Sequence, residues 1–316
     1  MKISGFTFVK NATKLFIPVK ESILSILPIV DEFIVAVGDN DADDRTMDEI
    51  ESIGSQKIKI IHTTWDPKTY KKNTVFAQQT DIAKEKCTGD WLFYLQSDEV
   101  IHEDFLETIK NDCRKYLDKP EVDGFLFGYK HFWGDFRHYH VAHSWYPKEI
   151  RIIRNDPKVH SWRDAQSFRK FSVFGYSPED YWKKEHSAKL HVVETKASVY
   201  HYGYVRPPEM MAYKDKSNNI SFFGADKVDQ MKVWPETFDY GPLQKLKEYT
   251  GTQPKVLEEW VKKFDWQGKL QYAGKIRQRP LHKHERLKYR ILSFVENTFL
   301  GGRKIGGFKN YIKIKG

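Results

Sequence analysis

Two acidic clusters stand where apolar runs end. Gly38-Asp39-Asn40-Asp41-Ala42-Asp43-Asp44 follows the run from Glu32 to Val37, and Gln96-Ser97-Asp98-Glu99 follows Trp91 to Leu95. Carboxylates grouped this way suit a cation or a hydroxyl-rich ligand, because Mg²⁺ or Mn²⁺ takes hard oxygen ligands and commonly shares them with substrate phosphates. Asp98 is placed to hold such a metal; alternatively, Asp98 or Glu99 caps a helical pattern over residues 102–116, since acids favour helix N-termini. Arg151 and Arg154 match phosphate geometry, with an ordinary strand-surface ion pair as the alternative. Trp133, Phe136, Tyr139 and Trp145 suit sugar stacking on the acceptor side, or else core burial. His131, His138, His140 and His143 invite a zinc reading, but no cysteine or acid stands at a zinc spacing.

These residues need a scaffold that gathers strand ends. Lys2 to Val9 and Glu32 to Val37 are β-rich, and Ile23, Leu24, Ile26 and Leu27 between them fall at helical spacing, so a β-α-β unit opens the chain. Met47, Ile50 and Ile53 predict a second helix, Lys57 to Thr63 a third strand, Val75 to Lys86 a third helix and Trp91 to Leu95 a fourth strand. This alternation predicts an α/β fold with a parallel sheet covered on both faces and ligands at the carboxyl ends of its strands. Beyond Asp123 the pattern becomes aromatic-rich and mixed: strands from Gly124 to Trp133, Glu149 to Arg154 and Leu190 to Tyr204, then helical runs from Pro207 to Lys216 and Pro254 to Phe264. Leu300 to Phe308 is glycine-rich without the order of a phosphate loop and reads as a flexible joint.

The 316 residues, 40% hydrophobic and 15% aromatic, have a folded composition. No apolar run approaches the roughly 18 residues that cross a bilayer. Met1 to Gly5 enters the first strand without a signal-peptide pattern, which predicts a cytoplasmic protein. Cys87 and Cys113 offer no disulfide framework and read as reduced thiols. The net charge of +9 is concentrated in residues 275–316, which hold 12 Lys or Arg against two acids. There Leu287, Ile291, Leu292, Phe294 and Val295 alternate with Arg286, Lys288 and Arg290. Such a helix lies on an anionic membrane or packs on the body by its apolar stripe. The charge forms no stripe interleaved with stacking aromatics, which argues against nucleic acid.

In order and spacing these segments resemble the GT-A nucleotide-sugar glycosyltransferases, the family-2-like members in particular. The matching features are Phe8-Val9-Lys10-Asn11, the acidic stretch from Val37 to Thr46, Gly89-Asp90-Trp91 and Gln96-Ser97-Asp98-Glu99, within residues 2–205. The resemblance implies a GT-A (Rossmann-like), mostly parallel sheet flanked by helices over residues 1–240, with a donor half to about 120 and an acceptor half after it. A helical, basic C-terminal extension would occupy residues 241–316. It further implies a UDP- or dTDP-sugar donor, with Asp39 accepting hydrogen bonds from the base, Asn11, Asp41, Gln96 and Arg151 around the nucleotide, and Mn²⁺ or Mg²⁺ on Asp98 with His201 completing the shell. Gln96 stands where the signature has its first acid and supplies no charge, so the metal is expected to bind weakly or to be dispensable. Asp164 corresponds to the base that deprotonates the acceptor hydroxyl, with a salt bridge to Arg163 or Arg169 as its alternative.

The chain is thus expected to be an inverting glycosyltransferase of polysaccharide biosynthesis, acting on a glycan or lipid-linked acceptor and peripheral to an anionic membrane through residues 275–316. A nucleotidyltransferase would carry a Gly-rich basic N-terminal loop, which Gly5-Phe6-Thr7-Phe8 does not supply. The remaining alternative is a non-catalytic glycan- or nucleic-acid-binding protein on a degenerate glycosyltransferase scaffold.

Overall fold

The computed structural model describes every residue except 225, 226, 229, 231–233, 277, 278 and 316. Its first half alternates as the sequence pattern requires: β1 (Ile3–Val9), α1 (Val19–Ile26), β2 (Glu32–Val37), α2 (Thr46–Glu51), β3 (Ile58–His62), α3 (Thr74–Lys84) and β4 (Trp91–Tyr94). These strands pair in parallel in the order β3-β2-β1-β4. α1 is shorter than its apolar pattern because Asn11 and Phe16, both left-handed, break the preceding stretch into turns.

Successive side chains of a strand point to opposite faces, and both faces here are covered. Phe33, Val35 and Val37 of β2 enter one core with Val19, Ile23 and Ile26 of α1, whereas Ile34 and Ala36 enter the opposite core with Ala83 of α3. The same split separates Trp91 and Phe93 from Leu92 and Tyr94 on β4. Each large apolar side chain buried this way stabilises the fold by about 1.5–3 kcal/mol. A one-residue slip would exchange the two faces, so register is strongly specified.

The second half is mixed. β5 (Glu99–Ile101), α4 (Leu106–Lys115), β6 (Gly124–Trp133), β7 (His138–His140), β8 (Lys148–Arg154), β9 (Val159–Trp162), β10 (Ser167–Phe171) and β11 (Ser187–Tyr204) follow in sequence. They continue the sheet as β4-β8-β6-β11-β10-β9. β8 is antiparallel to both β4 and β6, and β11 is parallel to β6, so β6 and β11 run in the same direction as β4. The α/β fold expected from the sequence is present, parallel across the N-terminal strands and mixed beyond them. α5 (Pro208–Phe223) follows β11 and outruns its expected end at Lys216.

Residues 241–316 differ from the helical extension expected. They hold α6 (Glu258–Lys262) and α7 (Leu287–Phe299), joined by 3-10 turns, and two short strands, β12 (Lys247–Glu248) and β13 (Tyr311–Lys313). β12 pairs with β7, and β13 returns to the main sheet parallel to β11. Leu243, Leu257, Trp260, Trp266 and Leu270 share an aromatic core with Phe132, Trp133 and Tyr202, so a boundary at residue 240 would cut through packed side chains. Cys87 and Cys113 are buried and unpaired. Among the described residues, no helix is long and apolar enough to cross a membrane.

Candidate active site

Because β1, β2, β4 and β11 run in one direction, their carboxyl ends lie along one edge of the sheet. Asn11, just past β1, adopts φ 54°. Its Oδ1 accepts the Asp41 N–H at 2.8 Å, and its own N–H donates to Asn40 Oδ1 at 2.7 Å, which ties the first loop to the acidic one. Asp39 faces Lys10 Nζ at 2.8 Å and accepts the Trp65 N–H at 2.9 Å. Burial works to raise its pKa, but Lys10 and the Trp65 amide outweigh it and hold the carboxyl ionised. The Trp65 indole packs against Phe8 and Phe76 with Nε1 lacking a partner among the described residues. Gly38 permits this approach: a Cβ there would lie 2.6 Å from Nε1. Asp41 and Asp43 share Lys14, at 2.8 and 2.5 Å, whereas Asp44 accepts the Thr46 N–H at 2.9 Å and so caps α2.

Asp98 and His201 meet at the next strand ends. His201 Nε2 lies 3.7 Å from Asp98 Oδ1. The pairing of β11 with β6 sets His201 beside His131, and their Nδ1 atoms are 3.1 Å apart. His131 Nε2 is 2.8 Å from the Tyr146 carbonyl, which can only accept, so that nitrogen carries the proton. Burial, with the neighbouring His201, keeps His131 neutral, well below the usual histidine range. Its Nδ1 must therefore accept from His201 Nδ1–H, which leaves His201 Nε2 as a lone pair facing the Asp98 carboxylate. Burial likewise lowers the His201 pKa. His201 Nε2 and Asp98 Oδ1 are then both acceptors, a pair that a cation can bridge.

The chain already places cations nearby. Lys214 Nζ of α5 donates to Asp98 Oδ2 at 3.1 Å and to the Gly203 carbonyl at 2.9 Å. Arg206 is buried, donates to the Leu15 carbonyl at 2.6 Å and leaves Nε and Nη2 without partners among the described residues. Burial opposes ionisation of Asp98, but the Lys214 ammonium and the Arg206 guanidinium hold its pKa far below the usual range. Gly203 keeps the space open, since a Cβ there would lie 2.5 Å from His201 Nε2 and 2.7 Å from Asp98 Oδ2. Among the described residues no third carboxylate, histidine or cysteine joins a metal-holding group. Asp98 and His201 thus bring a carboxylate oxygen and an imidazole nitrogen to one space, donor types that a divalent cation accepts.

Asp164 sits at the tip of the hairpin between β9 and β10, flanked by left-handed Arg163 and Ala165, both at φ 59°. It reaches a cavity of about 820 Å³ that Trp145 and Trp162 also line. Asp164 is exposed at that cavity, and desolvation by the surrounding hairpin pushes its pKa up. The alternative, a salt bridge to Arg163 or Arg169, does not form: Arg163 lies over the Trp162 ring at 4.3 Å, and Arg169 Nε donates to Ser187 Oγ at 2.7 Å. Gln96 Nε2 donates to the Ala165 carbonyl at 3.3 Å, which links the loop carrying Asp98 to the hairpin carrying Asp164.

Other expected site residues lie elsewhere. Arg151 is fully buried and grips Glu99 through Nε and Nη2 at 2.7 and 2.8 Å, so it braces the sheet instead of facing a diphosphate. Arg154 is likewise occupied by main-chain carbonyls, including Val122 at 3.1 Å. Trp133 is buried with its Nε1 donating to the Tyr240 carbonyl at 2.9 Å, and it packs behind Trp145. Tyr139 packs on Phe132 and Tyr249, apart from the cavity. Of the aromatic candidates, Trp145 shares the cavity with Asp164. His138 is bound to Asp135, and the histidines form no metal-holding group among the described residues. Sequence reasoning missed Lys214 and Arg206; the only signal was a pair of basic residues shortly after the β11 strand.

No protein-family model matches the chain, and no curated protein sequence does. Among solved structures it is similar to S. aureus TarS 1–349, with 16% identity over 73% of this chain and 69% of that one, at a TM-score of 0.37. Structures of that protein are in complex with UDP and with UDP-GlcNAc. The likeness is one of fold. Glucosyl-3-phosphoglycerate synthase from Mycobacterium tuberculosis, in complex with Mn²⁺, UDP and phosphoglyceric acid, is 17% identical over 42% of this chain and 43% of its own, with a TM-score of 0.28. Mannosyl-3-phosphoglycerate synthase from Rubrobacter xylanophilus is 16% identical over 42% of this chain and 41% of its own, also at 0.28. The chain thus spans less than half the length of either synthase.

Proposed function

We propose that the protein is a glycosyltransferase that moves a sugar from a nucleoside diphosphate to an acceptor hydroxyl. The observation that carries this reading is the juxtaposition across Gln96 and Ala165: a loop with a metal-compatible carboxylate is hydrogen-bonded to a hairpin that presents a second, raised-pKa carboxyl to a large cavity. Asp39 suits a uracil or thymine base, whose ring N–H can donate to it, and Trp65 supplies an adjacent apolar surface. Lys214 and Arg206 add positive charge where a diphosphate leaving group would develop negative charge.

Asp98 and His201 would hold Mn²⁺ or Mg²⁺, which when bound supplies Lewis-acid stabilisation of the diphosphate. Asp164 acts on the other side. The acceptor oxygen forms a bond to the anomeric carbon and its proton passes to Asp164. The bond from that carbon to the diphosphate oxygen breaks, and the electron pair leaves with the nucleoside diphosphate. Attack opposite the leaving group inverts the anomeric centre. A raised pKa makes Asp164 a better proton acceptor than an ordinary surface aspartate. Asp164→Asn should lower transfer at least about 100-fold with UDP affinity within twofold of wild type; full turnover by the variant would remove Asp164 as the base.

α7 supports a peripheral membrane contact over the packed alternative. Its Leu287, Ile291 and Phe294 are 69%, 55% and 62% exposed, whereas its buried residue is Glu296. The helix is held by polar contacts: Glu296 Oε1 receives His143 Nδ1 at 2.6 Å, and Lys304 Nζ lies 3.2 Å from Oε2. An outward apolar row beside exposed Arg286, Lys288 and Arg290 suits an anionic bilayer surface.

A further inference from the structure

The cavity at Asp164 is lined by seven Lys or Arg and by a single carboxylate, Asp164 itself. Four of these bases, Lys283, Arg303, Lys304 and Lys309, come from the C-terminal segment, which wraps the cavity and ends in β13 on the main sheet. The segment is fixed there by Asn310, whose Nδ2 donates to Ser167 Oγ at 3.0 Å and to the Phe168 carbonyl at 3.1 Å. The glycine-rich stretch read as a joint thus forms part of the wall.

Two of the bases are neutralised: Lys148 pairs with Glu194, and Lys304 with Glu296. Lys72, Arg163, Lys283, Arg303 and Lys309 form no ion pair among the described residues. Arg163 is oriented by aromatic faces, 4.3 Å from the Trp162 ring and 5.0 Å from that of Trp182, and its buried Nε has no partner among the described residues. The wall carries further orphan polar groups. Among the described residues, His140, 3% exposed, finds a hydrogen-bond partner for neither ring nitrogen, and the buried Ser144 Oγ finds none. Leaving buried polar groups unsatisfied is unfavourable, a cost that a bound ligand with matching acceptors removes. Guanidinium, ammonium, hydroxyl and imidazole N–H are all donors, and together with the uncompensated positive charge they match phosphate oxygens.

We propose that this cavity takes a phosphate-bearing acceptor, whose anionic groups sit against Arg163 and the basic C-terminal wall while a hydroxyl faces Asp164. This rests on the reading of the Asp164 side as the acceptor half of a glycosyl transfer site. The basic C-terminal segment then serves substrate recognition in addition to any membrane contact, and its charge is placed by the fold for that use.

The test is calorimetric titration with glucose 6-phosphate against glucose, and sn-glycerol 3-phosphate against glycerol, with saturating UDP and Mn²⁺ to occupy the donor side. The phosphorylated probes should bind at least tenfold tighter than their neutral counterparts, and less tightly as salt rises. Arg303→Gln/Lys309→Gln, two exposed changes that leave the core intact, should cut that preference about fivefold or more. UDP affinity should stay unchanged. Equal binding of phosphorylated and neutral probes, or an undiminished preference in the double variant, would overturn the proposal. Failure of UDP to bind, with the phosphate preference intact and sensitive to the double variant, would instead overturn the donor-site reading and uphold an anion-selective cavity.

Discussion

Glu149 shows how burial alone can set a charge state in this protein. It lies beside Asp164's hairpin, accepting from Ser167 Oγ at 2.9 Å and from Gln166 Nε2 at 3.3 Å. Burial pushes its pKa up to about 7, against the opposing influence of Arg151 and these hydrogen bonds. The folded state therefore binds more protons than the unfolded chain between the ordinary glutamate pKa and about 7. This contribution to stability is full below about 4.5 and is lost as pH rises through about 7. Glu149→Gln should remove that dependence, so denaturant melts should show wild type losing about 1–3 kcal/mol relative to the variant between pH 4.5 and 7.5; parallel profiles would refute it. Residue chemistry was partly legible in the sequence. Asp98, His201 and Asp164 stand out by type, whereas Arg151 could not be assigned because its partner Glu99 lies 52 positions away. Lys214 looks like any surface lysine until α5 turns it onto Asp98.

At the scale of elements, legibility followed periodicity. β2 is buried throughout, and its apolar run marks it without help from the rest of the chain. The β9–β10 hairpin gives no such signal, because Arg163 and Ala165 take the left-handed region without being glycine or asparagine. α7 was legible as an amphipathic helix but not in its orientation, which depends on Glu296 finding His143 across 153 positions. Glu296→Ala should leave His143 and Lys304 without their buried carboxylate, so amide exchange across residues 287–299 should accelerate by at least about tenfold, the equivalent of about 1.4 kcal/mol. Unchanged protection there would show that the helix is held by other contacts.

For the whole molecule, the parallel N-terminal sheet and the carboxyl-edge site could be inferred from the alternation of strands and helices. The place of the C-terminal segment could not, since its strand pairing and its part in the aromatic core are long-range. That segment turns a basic wall inward and an apolar helix face outward. Replacing Leu287, Ile291 and Phe294 together by Ser should abolish flotation with anionic liposomes with no loss of thermal stability, because these side chains are exposed. Equal flotation of both proteins would exclude this face as the membrane contact.

Asp98 and His201 anchor the proposed nucleoside diphosphate site. Its most direct test is calorimetric UDP binding with and without Mn²⁺, for wild type, Asp98→Ala and Gly203→Ala. Wild type should bind UDP more tightly with Mn²⁺, and both variants should lose that gain, the second because its methyl group fills the space between the two ligands. UDP binding that ignores Mn²⁺ and both substitutions, or no binding of UDP by wild type, would contradict the account.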